Sequence, residues 1–287
     1  MNASEFQSMR KFADTPFGRI AYVEGGSGPV ALFVHGFPLC GYQWRHALDE
    51  LSPVHTCVAP DMMGVGYSEI PASQDLTFES QADMLAAFLD ARSIKQVDLV
   101  ANDTGAGVSQ VFLSLHPHRV RSVTLTNCEV HDLWPNAMLE QFFIALKSGV
   151  VGELLGNIVG DPAAAAPLST AYEYAETLNK ESLEMYFTPF AESEARREQV
   201  KGFSQFARNR EQLVAAAKGL RASKVPAQVL WGEGDTAFDA RASIEWLRGN
   251  LGGLRKVTTI PNAKVFWPEE HPRLLTVLLK EFWSGVN

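Results

Sequence analysis

The chain has 287 residues, 46% of them hydrophobic, enough to bury a large core, and this length reads as one domain with an insertion. Acidic residues outnumber Lys and Arg 33 to 25 and no stretch gathers basic side chains, which argues against nucleic acid as a partner. Met1 to Phe12 is too polar for a signal peptide and no later apolar run reaches membrane-spanning length, so the expectation is a cytoplasmic protein with no membrane partner.

Cys40, Cys57 and Cys128 are odd in number and far apart, with no metal-ligand or redox spacing, and read as buried reduced thiols. No dinucleotide, phosphate-loop or metal pattern is present, so no cofactor is expected. The Ala163 to Ala166 run between Pro162 and Pro167 reads as a helix start or loop.

In chain order, short apolar runs bounded by Gly, Pro, Asn or Asp alternate with helical periodicity, the pattern of a mostly parallel sheet. Strands are predicted over residues 18–23, 30–34, 56–59, 97–101, 120–126, 227–231 and 256–260. The first alternates with polar residues and is expected antiparallel at an edge, whereas residues 31–34 and 97–101 suit burial on both faces. Helices are predicted over residues 78–91, 107–116 and 272–283. From about His131 to Leu220 the alternation stops and the sequence is helical and rich in aromatics, which predicts a helical cap inserted after a core strand.

Four landmarks carry chemistry. His35-Gly36-Phe37-Pro38 ends a buried strand and can aim a backbone N–H at a developing oxyanion. Asp61-Met62-Met63-Gly64 ends another strand and contributes topology. Ala101-Asn102-Asp103-Thr104-Gly105 turns a strand sharply into a helix around one polar residue, with the small neighbours a strained nucleophile elbow needs. There Asp103 would project at the top of the sheet, with the N–H groups of Phe37 and Thr104 as oxyanion hole; the competing reading makes Asp103 an N-cap. Trp231-Gly232-Glu233-Gly234-Asp235 delivers Asp235 to the same sheet edge, either as a catalytic acid or as a helix anchor in competition with Asp239.

Together these residues resemble the α/β-hydrolase superfamily from Phe17 to Trp283. Aspartate at the elbow resembles its haloalkane dehalogenase, fluoroacetate dehalogenase and epoxide hydrolase branch. The resemblance implies an α/β fold with a mostly parallel eight-stranded sheet and flanking helices, a core of residues 1–131 and 221–287, and a cap of residues 132–220. It also implies that Asp103 attacks carbon to give an ester that water then hydrolyses.

The family's base is a histidine after the last strand, and aligning on Phe266 and Glu269-Glu270 puts Val265 at that position and Lys264 at the usual glycine. His131 is the candidate relocated base, with Glu129 and Asp132 beside it as candidate acids, whereas His271 reads as exposed. Thr104 stands where haloalkane dehalogenases carry tryptophan. Tyr172, Tyr174 and Tyr186 are candidate substrate contacts by analogy with the cap tyrosines of epoxide hydrolases, and His35 and Trp267 are candidate contacts from the core.

The leading expectation is a hydrolase acting on an epoxide, halide or ester through Asp103 as nucleophile with a relocated base; the alternatives are a lyase, isomerase or cyclase using Asp103 as acid or base, and then a binding protein without chemistry. The aromatic cap suggests a small apolar substrate in each case. Oligomeric state is left open.

Overall fold

The computed structural model describes residues 1–286. Eight strands form one sheet: β1 (Arg10–Thr15), β2 (Gly18–Gly26), β3 (Val30–Val34), β4 (Thr56–Pro60), β5 (Val97–Asn102), β6 (Val120–Thr126), β7 (Ala227–Gly232) and β8 (Leu254–Ile260). Their order is β1-β2-β4-β3-β5-β6-β7-β8. β2 runs antiparallel to both neighbours and every pairing from β4 to β8 is parallel.

The chain's most apolar strands lie at the centre of this sheet. All six residues of β5 are buried, as are those of β7, because helices cover both faces. The polar alternation in β2 does not mark an edge: β1, which the charged residues Arg10, Lys11 and Asp14 hide from a hydrophobicity scan, pairs outside it. β1 is half-exposed, as an edge strand with charged side chains should be.

The stretch between β6 and β7 is helical, including Ala137–Ser148, Val150–Asn157, Lys180–Glu192 and Phe206–Ala222. Tyr172, Tyr186, Phe187, Phe190 and Phe203 from this stretch are buried, so most of its aromatics are spent on packing. All three cysteines are free and buried, and no helix is long and apolar enough to cross a membrane among the described residues.

The helix after β5 spans Thr104–Leu115 and so begins directly after Asp103, three residues earlier than its apolar periodicity suggests. Such an abrupt turn requires the backbones to approach closely. A Cβ on Gly105 would lie 2.6 Å from the Val34 carbonyl oxygen and closer still to that of His35, with no flexible side chain to give way. Gly105→Ala is therefore expected to destabilise the fold by about 2 kcal/mol or more, as overpacking against backbone does; a urea-denaturation midpoint equal to wild type would contradict this packing.

Candidate active site

Asp103 has φ 52° and ψ −133°, a conformation that costs a non-glycine residue roughly 1–3 kcal/mol and must be held by its surroundings. Its N–H donates to the Asn127 carbonyl at 2.8 Å, and its carbonyl accepts from the N–H groups of Ala106 (2.8 Å) and Gly107 (3.1 Å). Asn102, one residue earlier, pins the same turn: its amide donates to Thr126 Oγ1 and to the Val265 carbonyl, both at 2.8 Å, and its oxygen accepts from Gln43.

The Asp103 side chain does not cap the helix it precedes. Its Oδ2 instead accepts the Phe37 N–H at 2.8 Å, which leaves Oδ1 as the oxygen available to a substrate. The Phe37 donor expected for a substrate oxyanion is thus already engaged by the aspartate itself. Gly36 makes the approach possible, because a Cβ there would lie 2.8 Å from Asp103 Cβ and 2.9 Å from Oδ2.

Asp103 faces a cavity of about 460 Å³ between the sheet's carboxyl edge and the helical insertion. Its wall is largely apolar, with Phe78, Trp134, Phe142, Phe143, Phe203 and Phe266 as aromatic components. Three carboxyl groups enter it: Asp103, Glu129 and Asp235. Among the described residues, no histidine, lysine or arginine lines it.

Asp235 is held by Asn127, whose amide donates to Oδ2 at 2.9 Å, and by the Ala237 N–H, which donates to Oδ1 at 2.7 Å. The helix Ala240–Asn250 is capped by Asp239, which frees Asp235 for the cavity. Glu129 is 2% exposed and accepts the Thr104 hydroxyl at 2.9 Å. Sequence reasoning gave it no more weight than Asp132, which is exposed; only the inward turn of the chain after β6 distinguishes them.

Val265 forms part of the cavity wall, 4% exposed, at the position where the family resemblance expects histidine. His131 does not replace that histidine: its ring stacks on Trp246 at 4.8 Å, its Nδ1 pairs with Asp132 at 2.6 Å, and it is absent from the cavity wall. Its φ is positive, 50°. His271 pairs with Glu173, also away from the cavity.

The remaining candidate contacts are structural. The buried His35 accepts the Met62 N–H on Nε2 while Nδ1–H donates to the Gly36 carbonyl, so both ring nitrogens are spent on the loop. Tyr172 and Tyr186 donate to Glu269 at 2.9 and 2.7 Å, Trp267 is fully buried, and Tyr174 is 43% exposed; none of the four lines the cavity.

A family model for the alpha/beta hydrolase fold matches residues 29–265. The chain belongs to this family. Like its relatives, this α/β-hydrolase-fold chain is an enzyme. A cis-3-alkyl-4-alkyloxetan-2-one decarboxylase of Shewanella oneidensis is 26% identical over 83% of this chain and 77% of its own length. Haloalkane dehalogenase 2 of Mycobacterium tuberculosis is 25% identical over 95% and 94%. In fold, the chain matches a haloalkane dehalogenase from Bradyrhizobium elkani (TM-score 0.82, 24% identity, 96% of this chain and 98% of that one). It also matches an epoxide hydrolase (TM-score 0.80, 19% identity, 97% and 99%).

The electrostatics of this hydrolase-fold site follow from three acids in an apolar wall with no cation. Burial raises Asp103 to about 7 against the pull of the Thr104 and Phe37 N–H groups, and the charge of Asp235 adds to the rise. Burial, then the charge of Asp103, pushes Glu129 well above the carboxyl range; burial raises Asp235 against its Asn127 and N–H partners. Because folded Asp103 holds its proton more tightly than the unfolded chain does, its stability contribution is full below about 4 and is lost as pH rises to about 7. Asp103→Asn is expected to gain on wild type by up to about 1.4 kcal/mol per pH unit across that window and to hold the gain above it. Urea denaturation over a pH series checks this, and a pH-independent difference would refute it.

Proposed function

We propose that this enzyme rearranges or cleaves a small, uncharged, apolar substrate without consuming water, as a lyase, isomerase or cyclase in which Asp103 is the group that acts on the substrate. The observation that carries the reading is the composition of the cavity wall, three carboxyls and no histidine, with Val265 at the expected place of the water-activating base. An ester formed on Asp103 would have no neutral base beside it to deprotonate water, so a hydrolytic cycle would stall.

The remaining features fit the same chemistry. A value of about 7 leaves Asp103 close to evenly divided between acid and base near neutral pH, which suits a group that must both take and return a proton. Absence of a cation from the wall disfavours carboxylate or phosphate substrates, which would meet three acids in a low-dielectric space. The Shewanella relative, a decarboxylase of an alkyl-substituted oxetanone, supports carbon–carbon cleavage of a neutral, alkyl-bearing molecule on this framework.

Hydrolysis through a covalent Asp103 ester is the second reading, favoured by one observation. Oδ2 sits on the Phe37 N–H, where the carbonyl of such an ester would be polarised after Oδ1 had attacked. Turnover of neutral alkyl lactones, epoxides and alkyl halides in ¹⁸O-water separates the two. The proposal expects product without the label, a loss of at least about a hundredfold in Asp103→Asn, and a kcat/KM that changes through a pH of about 7. Label in the product, or an Asp103 adduct on the intact protein that Val265→His discharges, would establish the hydrolytic reading instead.

A further inference from the structure

The cavity wall contains a neutral polar side chain that the chemistry of its acids leaves unused, Asn209 in the helix Phe206–Ala222. It is 1% exposed, and its Oδ1 accepts the Phe78 N–H at 3.1 Å. A backbone N–H needs an oxygen opposite it, so this contact fixes which end of the amide is which. Nδ2 has no hydrogen-bond partner among the described residues. Nor is it sealed in the core, as the unpartnered indole nitrogens of Trp44 and Trp267 are. The space that Asn209 borders is the cavity.

Capping accounts for half of this amide. Phe78 opens the helix Phe78–Ala91, and Thr77 before it makes no cap, because its hydroxyl donates to Asp75. Asn209 Oδ1 and Gln212 Oε1, one turn apart, accept the N–H groups of Phe78 and Glu79 instead, the latter at 3.0 Å. An aspartate would cap as well and would gain from the helix dipole, but it would add a fourth acid to the wall. The amide supplies the capping oxygen and still offers donor hydrogens without bringing charge.

Donors are otherwise scarce in the wall. Thr104 gives its hydroxyl hydrogen to Glu129, Thr170 gives its own to the Pro167 carbonyl, and the Phe37 N–H is taken by Asp103. Ionised carboxyls only accept. Thr236 is exposed, and the indole N–H of Trp134 is the one competitor at a buried wall residue. A neutral molecule entering this cavity strips water from its oxygen, and a buried donor left unpaired is also costly, so pairing the two offsets both losses.

We propose that Asn209 Nδ2 is the fixed donor that receives the acceptor oxygen of the substrate, a carbonyl or ring ether, and orients the molecule in the cavity it shares with Asp103. The substrate class narrows accordingly, to an uncharged molecule with an apolar body and at least one such oxygen. An amide keeps its donor hydrogens while a neighbouring acid gains or loses a proton, so the substrate stays anchored as Asp103 acts.

This inference deepens the neutral-substrate reading of the cavity and rests on it, but its test is a binding measurement that needs no turnover. Cyclooctanone and methylenecyclooctane are close in shape and differ in presenting C=O or C=CH2. Headspace partitioning of each volatile ligand over the protein gives both dissociation constants, at a pH about two units above the Asp103 transition so that Asp103 cannot donate. In Asn209→Leu the ratio of ketone to hydrocarbon Kd should rise roughly three- to tenfold over wild type, the worth of one hydrogen bond; a purely structural role would move both constants together. If Asn209→Leu does not fold, Asn209→Asp keeps an acceptor for the Phe78 N–H, loses the donor once ionised, and should show the same rise. Trp134→Phe should leave the ratio as in wild type. An unchanged ratio in the Asn209 variants, or a rise found only in Trp134→Phe, would overturn the assignment while leaving the apolar-substrate reading intact. Failure of wild type to bind either ligand would remove that reading and this inference with it.

Discussion

The site depends on placing the Asp103 carboxyl inside an apolar wall with no cation to meet it. Moving an unpaired carboxylate out of water costs several kcal/mol even after relaxation, so the protein either solvates it with fixed dipoles or keeps it partly protonated. This structure does both. The Phe37 and Thr104 N–H groups supply dipoles on the acid's doorstep, and the rise of Asp103 to about 7 shows that they offset only part of the burial. The strained backbone at residue 103, the missing side chain at Gly36 and the asparagines at 102 and 127 all bring that acid to that wall and hold it there.

The polar groups a ligand might use are conspicuously spent elsewhere. Tyr172 and Tyr186 in the helical insertion both donate to Glu269, which is also paired with Arg45 of the core. This buried cluster ties insertion to core a short way from the cavity, and Tyr172 also packs on Phe266, a wall residue, at 5.1 Å. A satisfied ionic cluster of this kind fixes geometry more than it adds stability, since desolvation offsets much of the Coulomb gain. Its consequence for the site is chemical: phenols that would otherwise be free acids are committed to Glu269, and proton handling in the cavity falls to the carboxyls.

Most of the sheet was readable from apolar runs punctuated by Gly, Pro and Asp, because central parallel strands are buried on both faces and say so in their composition. β1 was not, since Arg10, Lys11 and Asp14 give an edge strand the look of a loop. That Asp103 and Asp235 face one cavity was legible because each closely follows the end of a central strand, and strand ends in this fold converge on one edge. His35, Tyr172, Tyr186 and Trp267 were misread for the opposite reason. Residue type suggested binding, but orientation decides it, and no periodicity tells whether a loop histidine or a cap phenol turns toward the cavity or into the protein. Glu129 and Asp132 differ in the same way, three residues apart and on opposite sides of the burial boundary.

Position 265 bears directly on the chemistry proposed for the cavity. Asn102 holds that segment through the Val265 carbonyl, not through its side chain, so the backbone is placed independently of which residue stands there. Two further acids face the same cavity: Asp235, fixed by Asn127, and Glu129, fixed by Thr104. The side chain there is a hydrocarbon, and among the described residues the three carboxyls of the cavity wall have no basic residue beside them in that wall. Burial raises all three above their ordinary carboxyl values, because no neighbouring cation stabilises their charged forms.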